Sequence, residues 1–275
     1  FKQKTAYEIY QCDWSSDVCS SDLQALARAA KALGCRSVAF TYNDPTIFLE
    51  YAVDTALACR ELGVKSVMVS AGYITPDARA ELYRYADAAN IDLKAFSEEF
   101  YRKVCGGHLQ DVLDTLEYLV KTTRCWTEIT TLLIPGENDS SAEIEAMSTW
   151  IMDKLGPSVP LHFSAFHPDY KMLEHPPTPK ETLLRAREIA IKNGLRYVYV
   201  GNVHDEAADS TYCHGCGDRV IGRDWYAITG WSLTHDGRCR NCGTRCAGVF
   251  DGPPGSWGRK RQAVDMRRLS GAIPR

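Results

Sequence analysis

The sequence predicts an α/β chain: a partial (β/α) barrel followed by a small C-terminal cysteine-held module. Three observations carry that expectation. From Gln24 onward short apolar runs alternate with amphipathic stretches, the pattern of a parallel sheet whose strands are joined by helical crossovers. No glycine-rich phosphate fingerprint follows any strand run, which favours a barrel over an open doubly wound sheet. Two Cys-x2-Cys pairs stand near the other end, at Cys213/Cys216 and Cys239/Cys242. The 275 residues are 45% hydrophobic and 24% charged, an ordinary globular composition. A net charge of -3 provides no general affinity for nucleic acid, and no uncharged apolar run is long enough to span a bilayer. The chain carries eleven cysteines with no secretory leader, so a cytoplasmic location and metal ligation are expected rather than a secreted disulfide framework.

Residues 1–23 fit no folding element. Lys2-Gln3-Lys4-Thr5-Ala6-Tyr7-Glu8-Ile9 and Asp13-Trp14-Ser15-Ser16-Asp17-Val18-Cys19-Ser20-Ser21-Asp22-Leu23 resemble, codon by codon and in one frame, successive parts of a short-read library adapter. The segment is therefore expected to be a sequence scar fused to a truncated gene, and Cys12 and Cys19 are set aside as ligands. Helices are predicted near residues 24–33, 47–62, 76–87, 109–121, 142–155 and 179–193, and strands at 37–42, 65–70, 89–93, 126–133, 160–165 and 195–200. Pro76 and Pro179 sit where a first-turn proline is tolerated, and Gly63 and Gly194 stand where helices end. The expected organisation is a scar at 1–23, a barrel lacking its first strand at 24–203, a cysteine module at 204–250 and a flexible basic tail at 251–275. The tail holds Arg259-Lys260-Arg261 and Arg267-Arg268 in Gly/Pro-rich sequence, and reads as solvated rather than as a nucleic-acid arm.

Barrel chemistry sits at the carboxyl ends of strands, so polar residues there are informative. The ends read Tyr42-Asn43-Asp44-Pro45, Ser70-Ala71-Gly72-Tyr73, Asp92-Leu93-Lys94, Ile134-Pro135-Gly136-Glu137-Asn138-Asp139, and a run from His162 through His167 to Lys171. Each has a plain reading as turn or ion pair. A purely structural barrel would not require every end to be polar. Asp92 and Lys94 are two apart, hence on one face of a strand.

This ordered series resembles the radical S-adenosylmethionine (SAM) enzymes related to pyruvate formate-lyase activating enzyme, and most closely the radical SAM member of the AmmeMemoRadiSam system. The resemblance runs from Gln24 to about Gly248 and includes Tyr197-Val198-Tyr199-Val200-Gly201-Asn202. It implies a radical SAM-type barrel in which SAM is reductively cleaved at a [4Fe–4S] cluster to a 5'-deoxyadenosyl radical that abstracts hydrogen from a substrate. It further implies that Tyr42, Asn43, Asp44 and Pro45 receive the SAM ammonium, with Asp44 as its carboxylate, and that Asp92 and Lys94 meet the ribose, carboxylate or reacting region. Gly72 and Ile134, Pro135 and Gly136 would border the cofactor, and His162 or His167 would reach cofactor or substrate. Memo-like and AMMECR-type proteins are the implied partners. Ala71 departs from the Asn-Gly-Tyr form of the family, which weakens any side-chain hydrogen bond there.

A larger departure is an absence. The C-x3-C-x2-C loop that would hold the cluster does not occur in residues 24–203, where Cys35, Cys59, Cys105 and Cys125 stand singly. The chain as written is expected to be inactive in SAM cleavage, the loop having been replaced by the scar. Cys213-x2-Cys216, a gap of 22 residues and Cys239-x2-Cys242, each pair followed by glycine, read as the knuckles of a zinc-ribbon-like module with structural zinc. Disulfides are the alternative. Cys246 has no assigned role, and His214 and His235 read as exposed loop residues. Two other functional readings stand beside the radical one: a Schiff-base aldolase using Lys94, and a ribbon that binds a macromolecule with the barrel as scaffold.

Overall fold

The computed structural model describes residues 19–250, with side chains from Leu23 onward. Most of the adapter-like segment, Cys12 included, and the basic tail lie outside the described residues. Helix α1 (Cys19–Ala32) begins inside the segment expected to be a scar, so the boundary expected at residue 23 falls within a helix. The face formed by Ala25, Leu26, Ala29 and Ala30 is buried.

Six parallel strands follow in strict alternation with helices: β1 (Ser37–Phe40), β2 (Lys65–Ser70), β3 (Ala88–Asp92), β4 (Trp126–Leu133), β5 (Leu161–Ala165) and β6 (Val198–Gly201). They pair in sequence order, each with the next, as βα units winding in one direction must. The crossovers are α2 (Leu49–Glu61), α3 (Pro76–Tyr83), a short α4 (Glu98–Phe100) running into a π turn (Tyr101–Cys105) and then α5 (Leu109–Thr122), α6 (Ser141–Lys154) and α7 (Lys180–Lys192). Pro76 opens α3 and Pro179 precedes α7, where no helical N–H is lost.

The sheet has two unlike faces. Met68, Ile91, Leu93, Ile129, Leu133, Leu161 and Phe163 are fully buried and face the helices, meeting Leu82, Leu116, Leu119, Ile144 and Met147. Alternate positions carry Asn90, Asp92, Glu128, Thr130, His162 and Tyr199. The register places Asp92 opposite Thr130, Thr130 opposite His162, and His162 opposite Tyr199, so these four form one cross-strand row on the polar face. An apolar outer face under helices and a polar inner face are what a partial barrel needs.

Several boundaries differ from expectation for local reasons. β1 stops at Phe40 because Tyr42 takes a left-handed conformation at φ 70°, and α2 starts only after the turn that follows Pro45. α3 ends at Tyr83, so residues 84–87 form a turn instead of helix. Beyond β6, α8 (Glu206–Asp209) leads into an antiparallel sheet of β7 (Thr211–Tyr212), β8 (Arg219–Asp224) and β9 (Ala227–Trp231). Cys213, Val220, Ile221, Leu233, Cys239 and Cys246 make its small core. Among the described residues no helix is long and apolar enough to cross a membrane.

Candidate functional site

The carboxyl ends of β1 to β4 converge through main-chain clamps. Asp44 does not present a free carboxylate: its Oδ1 accepts from Thr46 N (3.0 Å) and Ser70 Oγ (3.0 Å), and its Oδ2 from Ala71 N (2.7 Å). The side chain expected to meet an ammonium therefore ties the loop after β1 to the end of β2. Ala71, whose side chain offers no hydrogen bond, contributes its main-chain N–H. Tyr42 and Asn43 are exposed beside this loop and Pro45 is buried under it.

Gly72 is required on two counts. It takes φ 70°, and a Cβ there would stand 2.7 Å from Ile91 Cγ2. Its N–H donates to Ser70 Oγ at 3.0 Å, so Ser70 links Asp44 and Gly72.

Asp92 and Lys94 form the ion pair that their spacing predicts, with Nζ 2.5 Å from Oδ2. Both are part exposed on the inner face, the side-chain exposures being 31% and 39%. The main chain of Lys94 is held on both sides. Its N–H donates to Tyr101 Oη (3.0 Å), and its carbonyl accepts from Asn138 Nδ2 (2.6 Å). Burial pushes the Tyr101 phenol well above its usual range, so it stays a neutral hydroxyl.

Asn138 is fully buried and makes two further bonds, Nδ2 to Leu132 O (2.9 Å) and Oδ1 from Ile134 N (2.7 Å). One amide thereby joins the ends of β3 and β4 and fixes the turn that carries Ile134, Pro135 and Gly136. Ile134 is buried and Gly136 exposed, with the Gly136 N–H donating to Asp139 Oδ1 at 2.9 Å. Asn202 acts likewise for β5, its Oδ1 accepting from Ala165 N (2.7 Å) and its Nδ2 donating to Ala165 O (2.8 Å).

The two candidate histidines part company. His167 is exposed in the loop after β5. His162 lies near the amino end of β5 on the inner face, with Nε2 2.7 Å from Glu128 Oε2 and its ring stacked on Tyr199 at 5.0 Å. Glu128, buried on β4, also accepts from Trp126 Nε1 at 2.9 Å. Sequence reasoning missed Glu128, although a carboxylate inside a predicted strand is a signal, since a buried charge needs partners. Ser70, Asn138 and Asn202 were within quoted motifs but carried no mark of their clamping role.

The four thiolates of Cys213, Cys216, Cys239 and Cys242 do come together, their sulfurs all within 4.8 Å of one another. Cys213 and Cys242 sulfurs are 3.5 Å apart, and those of Cys216 and Cys239 3.8 Å apart. A tetrahedral ion with Zn–S bonds of about 2.3 Å requires sulfur separations of about 3.8 Å. A disulfide requires about 2.05 Å, so the arrangement fits an ion and not two bridges. Both knuckles turn alike: the Gly217 N–H donates to Cys213 O (2.8 Å) and the Gly243 N–H to Cys239 O (2.9 Å), with φ 80° and 74° at the glycines. The Gly215 N–H points at Cys213 Sγ (3.4 Å), and Thr244, through its hydroxyl and N–H, lowers the Cys242 thiol to about 6. Cys246 is buried in the module core, and burial pushes its thiol up to about 11, which marks it as packing. His214 and His235 are exposed.

Among the described residues this is the one group of three or more metal-binding side chains. Cys59 and Cys125 are buried, their thiols raised to about 11 and about 12 by burial, Cys35 is half-buried and Cys105 exposed. None of these four shares a site with another, so the described residues do not fit a [4Fe–4S] cluster.

Comparison with known proteins accords with this architecture. Over 225 residues the chain is 39% identical to an uncharacterized protein of Methanocaldococcus jannaschii, an alignment covering 81% of this chain and 66% of that relative, just short of two thirds of its length. In fold it is similar to a domain of pyruvate-formate lyase-activating enzyme from Bacteroides vulgatus (TM-score 0.53, 17% identity, 60% of this chain and 99% of that one). It is also similar to a radical SAM methyltransferase from Sphaerobacter thermophilus (TM-score 0.51, 16% identity, 64% of this chain and 54% of that one). The model of the radical SAM superfamily matches residues 20–147 of this chain.

Proposed function

We propose that the carboxyl edge of β1 to β4 is the SAM-binding half of a radical SAM enzyme of the AmmeMemoRadiSam type, related to pyruvate formate-lyase activating enzyme. The observation that carries this reading is the Asp92–Lys94 pair. It stands part exposed on the polar face, its main chain held by Asn138 and Tyr101, within the stretch that matches the superfamily. A carboxylate and an ammonium side by side suit a ligand that is a zwitterion with a diol: Asp92 accepts from ribose hydroxyls and Lys94 pairs with the carboxylate. Asp44 serves through the loops it holds, beside the exposed Tyr42 and Asn43.

In this superfamily a [4Fe–4S] cluster supplies the electron that cleaves SAM. Residues 24–203 hold no thiolate trio for one, and we assign the chain as written no SAM-cleaving activity. The aldolase reading is disfavoured because Lys94 Nζ is part exposed and engaged by Asp92 at 2.5 Å, not set alone in an apolar cavity.

Calorimetric titration with SAM tests the binding assignment. We expect millimolar-range or tighter binding that Lys94→Met and Asp92→Ala each weaken by roughly tenfold or more. Wild-type affinity in both variants would overturn it. Anaerobic reconstitution with iron and sulfide tests the remainder, the expected result being no SAM-responsive cluster signal and no 5'-deoxyadenosine from this chain.

A further inference from the structure

The amino-terminal half of the sheet's polar face is not open. Trp126, Glu128, His162, Tyr197 and Tyr199 line it, and the C-terminal module stands opposite, with Thr211, Arg223 and Trp231 across a cavity of about 100 Å³. Direct bonds cross this boundary at two tyrosines that lie two residues apart on one face. Tyr199 Oη is 3.0 Å from Thr211 Oγ1, and Tyr197 Oη accepts from Ala247 N at 2.9 Å. The Arg223 guanidinium lies 5.4 Å from the centre of the Tyr199 ring and donates to Thr211 Oγ1 at 2.6 Å. On the sheet side Tyr199 stacks on His162, and His162 meets Glu128. The module thus abuts a carboxylate–imidazole pair whose imidazole, His162, shares the cross-strand row of Asp92.

What holds the module in shape is a separate question from what it touches. Its buried core is Cys213, Val220, Ile221, Leu233, Cys239 and Cys246, half of them cysteines. A core this small does not sustain a fold without a staple. The residues that reach the barrel are tied to the thiolates along the chain: Thr211 lies just before Cys213, and Ala247 just after Cys246 and Arg245, which bridges to Arg238 beside Cys239.

We infer that the four-thiolate module is the closure of the barrel's amino-terminal mouth, and that a metal ion on Cys213, Cys216, Cys239 and Cys242 keeps it seated on Tyr197 and Tyr199. Metal occupancy is then felt in β5 and β6, not only in the module. This inference stands whether or not the barrel binds SAM.

Amide hydrogen exchange on the full chain, in reductant, tests it by comparing the protein loaded with zinc against the same protein after chelation. Chelation is expected to raise exchange in Leu161–Ala165 and Val198–Gly201 by roughly tenfold or more, as loss of a covering layer and its hydrogen bonds should, while Lys65–Ser70 stays unchanged. Exchange that rises only within residues 211–250, or a chain that takes up no zinc, would overturn the inference. A second protein, Tyr197→Phe with Tyr199→Phe, keeps both rings and loses the two hydroxyl bonds. It should bind zinc at the same stoichiometry yet show a smaller zinc effect in β5 and β6. An undiminished effect there would mean that these tyrosines are not the seat, and if this variant fails to fold, the zinc comparison on the natural sequence decides alone.

Discussion

At the scale of single residues, the strand ends are built by side chains bonding to main chain more than by side chains displayed for a ligand. Asp44, Ser70, Asn138 and Asn202 each spend their polar atoms on a neighbouring loop. Gly72 shows how little latitude remains between them. Gly72→Ala would place a Cβ 2.7 Å from Ile91 Cγ2 at a backbone angle that disfavours it. The expected cost is about 2–4 kcal/mol of stability, summing left-handed strain and overpacking, read as a lower urea midpoint. An unchanged midpoint would show that Ile91 yields without penalty.

At the scale of elements, β3 and β4 are joined at their carboxyl ends by one amide. Removing it in Asn138→Ala leaves the carbonyls of Lys94 and Leu132 and the N–H of Ile134 without their partner around a fully buried position. A loss of about 2–5 kcal/mol is expected in chemical denaturation. Asn138→Asp should not rescue it, because a carboxylate can accept from Ile134 but can donate nothing to two carbonyls. The alternation of strands and helices was legible from hydrophobic period alone, since burial on one face leaves that mark. The ends were less so. β1 stops where Tyr42 turns left-handed, two residues before the Asp44 clamp, and nothing about a tyrosine announces such an angle.

At the scale of the whole molecule, the chain joins a sheet held by ordinary apolar packing to a module with too few apolar residues to hold itself. Stability should therefore depend on metal in one part and not in the other. Metal analysis is expected to find one zinc per chain, abolished by Cys239→Ser. Zinc at 100 to 1,000 times its dissociation constant should stabilise the module by about 3–4 kcal/mol. A chain that melts identically with and without zinc would remove the four-thiolate site from the account of stability.

The sequence by itself determined the class of the fold, the helix-facing pattern, the Asp92–Lys94 pairing and the four thiolates. Each of these is written in local period or spacing: two residues along a strand, two Cys-x2-Cys knuckles, apolar runs of strand length. The tertiary structure alone decided that Asp44 clamps a loop, that His162 and Glu128 from different strands meet far from His167, and that the module covers the barrel's amino-terminal mouth. Those outcomes depend on register between strands and on which way a connection turns, and neither leaves a trace in the order of residues along the chain.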